Sequence, residues 1–169
     1  MTIGERKKIE VIFDEVAKKV TSTKKDIASL KTVIDSFALQ GKSVLEVGCG
    51  IGDNLIYCSQ KGAAYAEGFD ISGESIKIAQ HKTKSLSNIF FHKCSIEEYN
   101  SGRNFDFILA WGVFEYVDNP IESLKKMLNF LSDSGTLILF ISKPIFIKKI
   151  SFLFRAVLSK IPADAALPV

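Results

Sequence analysis

The chain has 169 residues, 47% hydrophobic and 24% charged, which is the size and balance of one soluble globular domain. Its net charge of +3 sets 22 basic residues against 19 acidic ones, too even a balance to argue nucleic-acid binding. The three cysteines (Cys49, Cys58 and Cys94) form no CxxC pair and no ligand-spaced cluster with His81 or His92, which speaks against zinc; no metal is expected. An odd number of thiols fits a reducing, cytoplasmic setting, and the charged start MTIGERKKIE carries no export signal.

Residues 5–20 place Ile9, Ile12, Phe13, Val16 and Val20 at helical spacing with lysines opposite. Residues 24–39 repeat the pattern with Ile27, Leu30, Ile34 and Phe37, Thr23 and Asp26 acting as a capping pair and Gly41 as the stop. Together they make an N-terminal helical cap over residues 1–41 that covers a sheet face. A buried strand, Val44–Val47, then runs into the turn Gly48-Cys49-Gly50-Ile51-Gly52, and Asp53 is expected to cap the next helix, which ends at Lys61-Gly62. A second strand, Ala64–Phe69, stops at Asp70. Ser72 caps a helix reaching about Lys84. The strand Ile89–His92, a short turn or helix at Ser95–Tyr99 and the strand Phe105–Trp111 follow. Asn119-Pro120 starts a helix with a buried stripe of Ile121, Leu124, Leu128 and Leu131, and Ser134-Gly135 turns into the strand Thr136–Ser142.

Strands alternating with helices over residues 42–142 predict βαβ units and a doubly wound, mostly parallel α/β sheet. A ligand crevice is expected at the carboxyl ends of its strands, where the glycine turn lies. The spacing there decides between ligands. A dinucleotide fingerprint needs a third glycine three residues after the second, and Asp53 holds that place. Asp70, 18 residues after Gly52, ends the second strand where a carboxylate can accept hydrogen bonds from both hydroxyls of an adenosine ribose.

The ExGxGxG run from Glu46 through Gly48 and Gly50 to Gly52 resembles motif I of the class I S-adenosylmethionine (SAM)-dependent methyltransferases. The resemblance covers roughly residues 44–142. It implies SAM as cofactor, held by Glu46, Gly48, Cys49, Gly50, Gly52 and Asp70, with Ile71 against the adenine. The family's acid for the adenine amino group aligns with Ser95, beside Ile96, so base recognition here leans on backbone and apolar contacts. Ala110 and Trp111 fall where the family lines the methionine end. Val113–Pro120 resembles a family segment whose histidine is replaced by Tyr116, leaving Glu115 and Tyr116 as candidate catalytic residues and no assigned general base. In many methyltransferases N-terminal helices form a lid, the functional counterpart of the cap at 1–41.

Relative to the family, the chain reads as shortened after the fifth strand. Lys143–Val169 is aromatic, and its five basic residues stand against the single acid Asp164. Such a tail fits peripheral contact with an anionic membrane, self-association or cover for a sheet edge, not a membrane span. The expected function is methyl transfer from SAM to a small-molecule or lipid-linked acceptor, with nucleic acid not expected. The alternatives are a SAM-binding fragment without turnover and, against the glycine spacing, an NAD-type oxidoreductase.

Overall fold

The computed structural model describes residues 10–15 and 24–140, and the side chains from residue 30 onward in the second stretch. Residues 10–15 are helical (α1). They are followed by α2 (Lys24–Asp35), β1 (Ser43–Val47), α3 (Asp53–Gln60), β2 (Tyr65–Asp70), α4 (Gly73–Lys82), β3 (Ile89–Lys93), β4 (Phe105–Trp111), α5 (Pro120–Asn129) and β5 (Leu131–Phe140). The expected capping pair at Thr23 and the whole tail at 143–169 lie outside the described residues.

The strands form one five-stranded sheet in the order β3-β2-β1-β4-β5, and every pairing is parallel. The expected doubly wound α/β architecture is therefore present. Chain order runs outward from β1 to β3 and then returns to β4 on the other side of β1. That reversal makes the carboxyl ends of β1 and β4 the switch point, where such sheets bind ligands.

The central strands are buried on both faces, which is why they read as near-continuous apolar runs. One face packs Val44, Leu55, Cys58, Ala79 and Phe91 together with Leu30 and Ile34 of α2. The other packs Leu45, Phe69, Ile108, Phe114, Leu124 and Met127. The buried Glu67 on β2 is satisfied there by the hydroxyls of Tyr65 (2.7 Å) and Tyr99 (2.8 Å), and His92 Nε2 lies 2.9 Å from it.

Several local expectations change. The second helix, expected over residues 24–39 with Gly41 as its stop, ends at Asp35. The helix at Asp53 is capped by Gly52, in the left-handed conformation and with no side-chain cap, while the Asp53 carboxylate pairs with Lys82 of α4. In α5, Leu124 and Met127 are the buried apolar residues, whereas Ile121 is 40% exposed. Leu131 belongs to β5, not to the α5 stripe. It pairs with Phe105, yet Phe107 pairs with Thr136, so Ser134-Gly135 lies inside a bulged stretch of the strand and not in a turn before it. Crowding explains the glycine: a Cβ at 135 would come within 2.8 Å of the Leu131 side chain and 2.9 Å of the Phe105 carbonyl.

Candidate active site

A cleft of about 290 Å³ opens at the carboxyl ends of β1, β2, β3 and β4. Of the residues expected from sequence, Gly48, Gly50, Asp70, Ile71, Ser95, Ile96, Trp111 and Tyr116 line it. Glu46, Cys49, Gly52, Ala110 and Glu115 lie outside its lining.

The glycine turn explains this division. Gly48, Gly50 and Gly52 all have positive φ, at 68°, 51° and 79°. A Cβ at Gly48 would meet Val113 Cγ2 at 2.6 Å, and one at Gly52 would meet the Phe91 ring at 2.6 Å. Gly52 therefore serves core packing alone, whereas Gly48 packs on Val113 and lines the cleft with it. A Cβ at Gly50 would meet nothing within 4 Å, and the same holds for Gly112 (φ 67°) just after β4. Both line the cleft, so bare backbone faces open space at the ends of β1 and β4, which lets a ligand approach the main chain closely.

Asp70 ties the turn to β2. Its Oδ2 accepts the Gly50 amide at 2.8 Å and its Oδ1 the Ser72 amide at 2.8 Å. Burial raises its pKa above the usual carboxylate value, and these amide bonds oppose that rise. Each carboxylate oxygen retains a further acceptor site for a ligand hydroxyl.

Glu46 points to the opposite face of β1 from Val47, as strand alternation requires. It is 1% exposed, and its Oε1 accepts a hydrogen bond from Asn54 Nδ2 at 2.6 Å while its Oε2 has no hydrogen-bond partner among the described residues. It therefore anchors the first turn of α3 beneath the glycine turn. Burial, reinforced by Asp70 and Asp53, pushes its carboxyl from 4.5 up to about 8. Below 4.5 both folded and unfolded chains hold the proton. Between there and about 8 the unfolded chain releases a proton that the folded chain keeps, so stability falls across that window as pH rises, and Asp70, also raised, adds in the same direction. Urea unfolding between pH 5 and 8 should show this decline in the native protein and a flatter profile in Glu46→Gln; equal slopes would show that Glu46 does not carry the dependence.

Cys49 is buried on the far face, and burial holds its thiol well above its ordinary pKa. Ala110 is fully buried under the end of β4. At the cleft, Trp111 stacks on Phe140 with ring centroids 4.3 Å apart. Tyr116 meets Phe13 of α1 edge-on at 5.2 Å, and Phe13 also lines the cleft. Asp14 of the same segment accepts hydrogen bonds from the Ser72 hydroxyl and the Glu74 amide, and Glu10 pairs with Lys93 at 2.6 Å. Residues 10–15 thus bridge two rims of the cleft.

The lining also includes Ser75, Cys94, Glu97, Gly112, Val113 and Asp118, which sequence reading did not single out. Gly112 carried a usable signal, a glycine immediately after a buried strand. Cys94 and Glu97 flank the expected Ser95-Ile96, and Val113 and Asp118 belong to the Val113–Pro120 segment; the sheet order brings these stretches and Ser75 to one cleft.

A family model described as a methyltransferase domain matches residues 22–144. The chain belongs to this methyltransferase-domain family. It is 28% identical over 102 residues to a malonyl-[acyl-carrier protein] O-methyltransferase of Halalkalibacterium halodurans, covering 57% of this chain and 38% of that relative. It is 33% identical over 104 residues to a tRNA U34 carboxymethyltransferase of Aeromonas salmonicida, covering 60% of this chain and 32% of that one. The chain therefore spans less than half the length of either relative. The fold matches that of phosphoethanolamine N-methyltransferase 1 from Haemonchus contortus, solved with phosphoethanolamine and S-adenosylhomocysteine (SAH). The TM-score is 0.69 at 18% identity, over 81% of this chain and 32% of that one. The relatives' names include a tRNA enzyme, so the expectation against nucleic acid finds no support among them. No helix among the described residues is long and apolar enough to cross a membrane.

Proposed function

We propose that the chain binds SAM in this cleft and transfers its methyl group to a small-molecule or lipid-linked acceptor in the cytoplasm. One observation carries the reading: the Asp70 carboxylate, at the end of β2, is locked to the bare Gly50 backbone at the end of β1. The pairing puts a hydroxyl-accepting carboxylate beside an open main-chain turn at the switch point. Asp70 would take the ribose, Ile71 and Ile96 the adenine faces, Ser95 the adenine edge, and the backbone at Gly48, Gly50 and Gly112 the methionine end. Glu46, Cys49, Gly52 and Ala110 would support these groups from beneath.

Bound SAM supplies a methyl group on a sulfonium with a neutral thioether as leaving group. The chain's own contribution is positioning and exclusion of water, and an acceptor held in line gains much of its rate from that alone. Tyr116, at the cleft wall, orients the acceptor; no described histidine lines the cleft to act as a base. The NAD reading is disfavoured because Asp53 stands in place of the third fingerprint glycine and is engaged by Lys82.

Calorimetric titration with SAM, SAH and NAD tests the reading. SAM and SAH should bind and NAD should not. Tight NAD binding without SAM binding would overturn the cofactor.

A further inference from the structure

Resting on that reading, we infer that the acceptor taken by this cleft is an amine, bound as a cation with an apolar body against the aromatic wall at the end of β4. Two independent features point there. The first is charge. Among the described residues the lining holds the acids Asp70, Glu97 and Asp118 and no lysine, arginine or histidine. Lys126 reaches the Glu97 carbonyl at 2.7 Å but does not line the cleft, and Lys93 is paired with Glu10. From the protein's side, a phosphate or carboxylate acceptor would meet carboxylates of its own sign and no lysine, arginine or histidine among the described lining residues. An ammonium would meet carboxylates of the opposite sign.

The second feature is the set of rings. Trp111, Tyr116 and Phe13 line the cleft, and each is fixed by an aromatic neighbour: Trp111 by Phe140 at an interplanar angle of 13°, Tyr116 and Phe13 by each other at 88°. Ring faces carry the negative part of the aromatic quadrupole and attract cations. Tyr116 remains 43% exposed, a large ring left uncovered at the mouth, where a ligand can cover it. An amine also suits the missing base. Its nitrogen sheds a proton to water and gives its lone pair to the methyl carbon, while the carbon–sulfur bond breaks and the sulfur keeps that electron pair. No protein group of high basicity is required.

Trp111 is the only tryptophan in the chain, so its fluorescence reports occupancy directly. Three probes share one aromatic body: phenethylamine, phenethyl alcohol and phenylacetate. Each is titrated at neutral pH with and without SAH. Phenethylamine should bind about three- to tenfold more tightly than the alcohol, with phenylacetate weakest. Tyr116→Ala should reduce the amine's advantage about two- to fivefold, while Tyr116→Phe, which keeps the ring face, should preserve it. Equal binding of amine and alcohol, preferred binding of phenylacetate, or an amine advantage untouched by Tyr116→Ala would each overturn the inference. The two readings fail separately. Amine binding without SAH binding would refute the methyl donor and leave the cation site standing, whereas SAH binding without amine preference would refute the acceptor class alone.

Discussion

Gly50→Val should abolish SAM binding while leaving the sheet folded. Gly50 adopts φ 51°, a conformation in which a β-branched residue is strained by about 1–3 kcal/mol. No protein atom lies within 4 Å of the added Cβ, so the branches fill ligand space instead of displacing a neighbour. The strain also shifts the Gly50 amide that Asp70 holds. A binding loss of a hundredfold or more is the expected scale, about 3 kcal/mol at roughly 1.4 kcal/mol per tenfold. Thermal unfolding separates this from collapse of the fold. Gly52→Val is the contrasting substitution, because its Cβ would collide with Phe91 inside the core and should destabilise the protein itself. A folded Gly50→Val protein with native affinity would show that the turn is only structural.

Asp70→Ala should weaken SAM binding roughly tenfold to a hundredfold, the equivalent of the 1.5–3 kcal/mol typical of hydrogen bonds to a charged group. The structure adds a second route to the same loss. The carboxylate also accepts the Gly50 and Ser72 amides, so its removal loosens the turn and the start of α4 together. Asp70→Asn separates the routes, since an amide oxygen can still accept one of those bonds. Calorimetry on folded Asp70→Ala that returned the native affinity would place the ribose elsewhere.

Much of the fold is legible in the sequence because its signals are local. VLEV before GCGIG announces a buried strand entering a tight turn, and FDFILAW matches β4 residue for residue. Ser72 and Asn119 accept hydrogen bonds from the amides of Ser75 and Glu122 as expected of capping residues. Less legible is which side of a strand faces the ligand. Glu46 belongs to the motif by spacing, yet strand alternation turns it under α3, where it binds Asn54 and not the cleft. Gly48, Gly50 and Gly52 look equivalent in sequence; only their neighbours Val113 and Phe91 distinguish packing glycines from the one that faces open space. Phe13 could not be placed at the cleft from its helical spacing, because Tyr116, which it meets, lies far along the chain. The bulge in β5 is invisible for a similar reason: Ser-Gly reads as a turn unless the pairing of Leu131 with Phe105 is known.

A crystal structure of the chain with SAH tests the cofactor site most directly. The nucleoside is expected in the cleft, with both ribose hydroxyls within hydrogen-bonding distance of Asp70 and the amino-acid end against the backbone of Gly48 and Gly50. SAH bound elsewhere, or bound here with its ribose turned away from Asp70, would contradict this placement.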